Sequence, residues 1–158
     1  MKKSAALLLA LVMAFSLCAC ETNSKNKERE EYAGKVSELI SDTAWGGIID
    51  EIGGEYLMHG VLFSEGEDGY GDIEYFIQVG DETGFQVRGR YIVSTQEENI
   101  IEAEYDEQLK DGSWGSIDEG RVTSSTFRYV VENGEIAQLY EVYDIDGEVT
   151  EHELINLS

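Results

Sequence analysis

"FRYVVENGEIAQLYEVYDIDGEVTEHELI", residues 127–155, alternates β-branched and aromatic side chains with polar ones and breaks only at Asn133-Gly134 and Asp146-Gly147. Both dipeptides suit a type I′ turn, which needs positive φ at its two central positions and joins antiparallel strands tightly. The stretch therefore predicts three consecutive strands in a meander. Counting back from Asn133-Gly134 pairs Val131 with Ile136, Tyr129 with Gln138 and Phe127 with Tyr140, a coherent inner face. Counting on through Asp146-Gly147 then sets Tyr140 against Glu153 and Val142 against Glu151, which points two carboxylates toward the apolar side. Two solutions stay open. A bulge in the last hairpin slips the register by one and buries His152 and Leu154, because a one-residue slip exchanges the faces of a strand. Otherwise the interior is polar near its mouth, and Glu151 and Glu153 line it.

Upstream, the same pattern repeats. From Thr43 on, β-rich runs separated by Gly, Asp and Asn clusters predict strands over 43–51, 55–64, 70–79, 85–95, 99–106, 121–132, 135–144 and 148–157. Thr95–Glu98 joins 85–95 to 99–106 as an antiparallel pair. In 85–95, Phe85, Val87, Gly89, Tyr91 and Val93 share one face and Gln86, Arg88 and Arg90 the other; in 99–106, Ile101, Ala103 and Tyr105 oppose Glu102, Glu104 and Asp106. Aligning the apolar faces sets the arginines against those carboxylates, an outer salt ladder. Before the strands, Tyr32, Val36, Leu39 and Ile40 recur at helical spacing, so a short amphipathic helix is expected to plug or lean on the β domain.

The amino terminus carries a different message. Lys2 and Lys3 precede an apolar run, Ala5–Leu17, of a length that suits an export signal and is too short to span a bilayer. The run ends in Leu17-Cys18-Ala19-Cys20, which resembles the bacterial lipoprotein lipobox. That resemblance implies a signal peptide over 1–19 and Cys20 as the lipid attachment residue. It would carry a covalent diacylglycerol and fatty acyl chains such as palmitate, and hold the protein on the extracytoplasmic face of the cell membrane. Two acyl chains, at about 0.8 kcal/mol per buried CH₂, anchor far more durably than one. Residues 20–31 are polar and expected to form a flexible tether, about ten residues reaching on the order of 18 Å; residues 32–158 would form the helix and one β domain.

Removing Lys2, Lys3, Lys25, Lys27 and Arg29 from the 11 basic residues, and Glu21 and Glu28 from the 33 acidic ones, leaves 6 against 31 from Glu30 onward, a net charge of −25. Nucleic acid is excluded as a partner, because binding its backbone depends on Lys and Arg neutralising phosphates. The acidity fits a solvated surface, or one that captures a basic protein partner.

The strand succession after a lead helix, the first-strand "TAW" at 43–45, the acidic turn "FSEGEDGYGDIEY" at 63–75, "GRYIV" at 89–93 and "NIIEAEY" at 99–105 resemble the small lipocalin-like lipoproteins of bacteria. The resemblance implies an all-β fold, an eight-stranded antiparallel up-and-down barrel preceded by a short α-helix. It also implies a non-catalytic binding module for a small apolar or amphipathic ligand. Its lining would draw on Trp45, Phe85, Tyr91, Tyr105, Phe127, Tyr129, Tyr140, Glu151 and Glu153.

Little points to catalysis or to metal. His59 and His152 are the only histidines, with no Gly-x-Ser-x-Gly elbow near them and no zinc-ligand spacing between them. No enzyme activity, catalytic residue, cofactor or metal is expected beyond the lipid on Cys20 and weak Ca²⁺ binding by Glu65, Glu67, Asp68 and Asp72.

Overall fold

The computed structural model describes residues 24–158; the predicted signal peptide, the expected lipid attachment residue Cys20 and the first residues of the expected tether lie outside them. Helix α1 (24–40) leads into nine strands: β1 (Thr43–Ile52), β2 (Glu55–Glu67), β3 (Tyr70–Val79), β4 (Glu82–Val93), β5 (Ile100–Lys110), β6 (Ser113–Ser116), β7 (Ser124–Glu132), β8 (Glu135–Ile145) and β9 (Glu148–Asn156). Eight of them, β1–β5 and β7–β9, pair antiparallel in chain order and close into a lipocalin-like barrel. Closure is made where Trp45 and Gly46 of β1 face Asn156 and Ile155 of β9. Leu157 N–H reinforces it by donating to Ala44 O at 2.7 Å. Five of the eight connections between consecutive strands are turns whose two central residues take positive φ: Gly53-Gly54, Asp68-Gly69, Asp111-Gly112, Asn133-Gly134 and Asp146-Gly147.

The expected short helix begins earlier than expected, so 24–31 continues α1 instead of acting as a tether. Those residues are rich in Lys, Glu and Arg, which favour helix, and Lys27 pairs with Glu31 at i,i+4 spacing, 3.7 Å. At the other end α1 stops against the barrel. Thr43 Oγ1 donates to Ile40 O at 2.5 Å, and Asp42 takes φ 57° to turn the chain into β1. Ala33, Val36 and Ile40 enter the core and seal one end of the barrel. Ser37 fastens the β2–β3 turn there, accepting from Gly69 N–H at 2.9 Å. A side chain at Gly66 would collide with Ser37 O, which is why glycine stands there.

Sequence counting missed β6. Asp111-Gly112 folds the extended end of β5 onto Ser113–Ser116, and Trp114 lies under the Arg88 guanidinium, 4.3 Å from the ring centre. The Arg88 side of the salt ladder also moves: a bulge between Arg88 and Gly89 sets Arg88 against Glu107, at 2.6–2.7 Å, while Arg90, opposite Glu104 in the backbone register, has its ion contact with Asp72 of β3, at 3.9 Å.

The bulge that decides the interior lies one hairpin earlier than expected. Val131 faces Ile136 but Val130 faces Gln138, leaving Ala137 without a partner on β7. Beyond it, Leu139, Glu141 and Tyr143 turn inward, and Tyr140 turns outward. The last hairpin keeps the counted register, Tyr140 with Glu153 and Val142 with Glu151, yet these residues form its outer face. Leu139 and Leu154 are thereby buried. The same slip carries Glu141 into the barrel.

Candidate functional site

The interior has two layers. Beside α1 it is apolar and full: Trp45, Phe63, Tyr91, Phe127 and Tyr129 are each at most 2 % exposed. Phe63 meets Tyr91 and Phe127 edge to face at 5.2 and 5.6 Å. These five side chains include four of the nine residues expected to line a pocket, and they form the core instead. Burial pushes the Tyr91 hydroxyl up to about 12.

Toward the opposite end, strands around the barrel contribute inward polar residues: His59 from β2, Tyr75 from β3, Tyr105 from β5, Ser125 from β7, Glu141 and Tyr143 from β8, His152 from β9. Glu141 is the hub. Its Oε2 lies 2.7 Å from His59 Nδ1 and accepts the Tyr143 hydroxyl at 2.6 Å, while Oε1 accepts Ser125 Oγ at 3.3 Å. Tyr143 and Tyr75 hydroxyls also approach His59 Nδ1, at 3.3 and 3.5 Å. A carboxylate buried to this degree is tolerable because several donors meet it. Burial first, and the Glu141 charge next to it, raise Tyr75 above the ordinary phenol range. Burial, followed by the hydrogen bond to Glu141, does the same for Tyr143. Burial likewise raises Tyr105. All three stay neutral O–H groups at physiological pH.

Among the described residues, two atoms of this layer have no partner: His59 Nε2 and the Tyr105 hydroxyl, both sealed from solvent. Buried polar atoms are nearly always hydrogen-bonded, so these two leave hydrogen-bonding capacity inside the barrel. Gly47 of β1 sits opposite. A Cβ there would stand 3.1 Å from His59 Nε2 and 2.7 Å from His152 Nε2, so only glycine leaves that part of the wall clear.

Of the remaining expected lining, Tyr105 belongs to this layer and Phe85 packs half-buried against the core. Tyr140, Glu151 and Glu153 do not line the interior. Tyr140 lies outside beneath Arg128, 4.2 Å from the guanidinium carbon, and Arg128 grips Glu151 with two hydrogen bonds of 2.5 and 2.6 Å. Those bonds hold the Glu151 carboxyl below its usual range, the reverse of what a general acid needs. Glu65, Glu67, Asp68 and Asp72 are spread along the β2–β3 hairpin, and among the described residues no three His, Cys, Asp or Glu side chains are placed to hold a metal ion. Ser125 gives its proton to Glu141 and not to His59. Outside the barrel, a groove of about 380 Å³ separates α1 from the 94–99 loop, with Arg29, Tyr32 and Tyr129 among its walls.

His59, Glu141, Tyr143 and His152 were not legible as a site. Their sequence separations are large, and the slip at Ala137 decides which face of β8 points inward. No protein-family model matches the chain, and comparison with curated proteins and with solved structures gives no match.

Proposed function

We propose that this chain is a lipoprotein anchored through Cys20 on the extracytoplasmic face of the membrane, whose barrel is a non-catalytic binding module for a small amphipathic ligand. The observation that carries the reading is the pair of buried, unpartnered polar atoms, His59 Nε2 and the Tyr105 hydroxyl, in an interior otherwise paired through Glu141. A ligand offering a donor to the imidazole and an acceptor to the phenol would satisfy both. Its apolar part would rest on Val87, Ile77 and Phe85, which line the same end. Leaving such atoms unsatisfied costs roughly 1–3 kcal/mol each, and a ligand recovers that cost on entry. Diffusion to the site needs no crossing of the aromatic layer, since α1 closes the other end.

The test is native mass spectrometry of residues 21–158 incubated with a lipid extract of the source organism. A discrete added mass, lost in Tyr105→Phe and retained in Tyr140→Phe, supports the reading. A bare mass throughout, in folded protein, overturns it. The net charge of −25 from Glu30 onward supports a second reading, in which the outer surface meets a basic envelope protein. A complex whose affinity is unchanged by added salt would count against that one.

A further inference from the structure

The two histidines of the chain approach each other from different strands. Their ring centres are 5.0 Å apart with the planes inclined at 68°, and both Nε2 atoms converge on the point that a side chain at Gly47 would occupy. His59 is 2 % exposed and its Nε2 has no partner. Its Nδ1 faces Glu141 Oε2 at 2.7 Å, so Nε2 is the ring nitrogen left to meet a ligand. An imidazole held by a carboxylate behind it, with its second nitrogen free, is the arrangement that metal-ligating histidines adopt.

We infer that His59 Nε2 and His152 Nε2 form a two-histidine seat for a divalent transition-metal ion over Gly47, with Glu141 as the orienting carboxylate. Imidazole pairs suit zinc, copper and nickel, and copper(II) binds a given nitrogen site most tightly of these. The acidic domain raises the local concentration of any cation. No third carboxylate, thiol or imidazole joins the pair among the described residues. The remaining coordination positions are therefore open to water or to a ligand entering the polar layer, where the Tyr105 hydroxyl is a free donor. Gly47 is essential here, since a Cβ would stand 2.7 and 3.1 Å from the two Nε2 atoms and crowd an ion held between them.

The inference rests on the polar layer being a binding site, and the experiment separates the two. The untagged full chain in detergent is titrated with copper(II) at neutral pH and followed by electron paramagnetic resonance. Because the chain contains two histidines only, nitrogen hyperfine structure from two imidazoles at one equivalent of copper reports this pair. The signal should vanish in His152→Gln and in Gly47→Ala, a variant that keeps both rings. In Glu141→Gln the affinity should fall about 10–100-fold, the usual effect of losing an orienting partner. Oxygen-only ligation, coupling to a single imidazole, or a signal that survives Gly47→Ala in folded protein overturns the metal seat. If a small-molecule adduct still forms with a chelator present, the binding layer stands without the metal; if neither adduct nor nitrogen coupling is seen, both readings fall.

Discussion

His59 Nδ1 lies 2.7 Å from Glu141 Oε2 with both side chains almost sealed from water, and the contact joins β2 to β8 across the barrel. Such a pair is costly to break and cheap to replace whole, because removing one partner strands the other in a low-dielectric interior. His59→Leu, which takes a buried partner away from the Glu141 carboxylate, should therefore lower stability by about 3–5 kcal/mol. Replacing both residues together, His59→Leu with Glu141→Met, should cost much less than the two single changes combined. Urea denaturation of the four proteins closes the cycle, and additive losses would contradict a coupled pair.

Five of the nine tyrosines, Tyr75, Tyr91, Tyr105, Tyr129 and Tyr143, have their hydroxyls raised by burial. An unfolded tyrosine loses its proton near pH 10, while these keep theirs in the fold. The unfolded state therefore binds fewer protons above that pH, and stability falls as pH rises. Below pH 10 the contribution is fully present. Above it, alkaline unfolding should be cooperative, with tyrosinate absorbance rising together with the loss of β-sheet circular dichroism. A smooth titration of all nine tyrosines with the sheet intact would show that these hydroxyls are not buried.

Gly89 carries no side chain because β5 runs too close to it. A Cβ would collide with Glu104 O and stand 2.7 Å from Tyr105 Cα, both backbone atoms that cannot swing aside. Gly89→Ala should cost at least 1–3 kcal/mol, roughly the range for forcing atoms into a packed interior. Gly115→Ala on β6, with open space around it, should change stability by less than about 0.5 kcal/mol. Thermal melts of the two variants distinguish a local steric limit from a general preference for glycine in this sheet.

The barrel was readable because turn chemistry and two-residue alternation report local geometry. Asn133-Gly134 and Asp146-Gly147 marked hairpins that the structure contains, and the inward face of β4 from Phe85 to Val93 followed from alternation alone. β6 was missed although Asp111-Gly112 offers the same turn signal, since its four residues are too few to display a period. The site was lost for a different reason. A bulge adds one residue without changing composition, so nothing in "EIAQLYEVY" announces that Glu141 faces in and Tyr140 faces out. One of the two open registers placed Glu151 and Glu153 inside; the structure instead turns Leu154 inward, as the other did, brings in a different carboxylate and gives Glu151 to Arg128. The aromatic residues were found, but an aromatic stripe fills a core as readily as it lines a cavity.

Ala137 is the residue on which that assignment turns. It is exposed, and β7 offers it no partner; left out of the pairing, it sets Leu139 and Glu141, and not Tyr140, on the inner face. Replacing Ala137 by Ser leaves the count of residues intact and should leave stability within about 0.5 kcal/mol of the parent. Deleting it removes the bulge and sets Ile136, Gln138 and Leu139 against Val131, Val130 and Tyr129 in plain alternation, so Leu139 and Glu141 still face inward and Tyr140 still lies outside. The deletion variant should therefore keep a cooperative native state, losing less than about 3 kcal/mol, the ordinary range for a single change, as read by urea denaturation and by the dispersion of its amide resonances. A deletion variant without a cooperative transition would mean that the local bend made by the bulge, and not only the count of residues, brings Glu141 to His59.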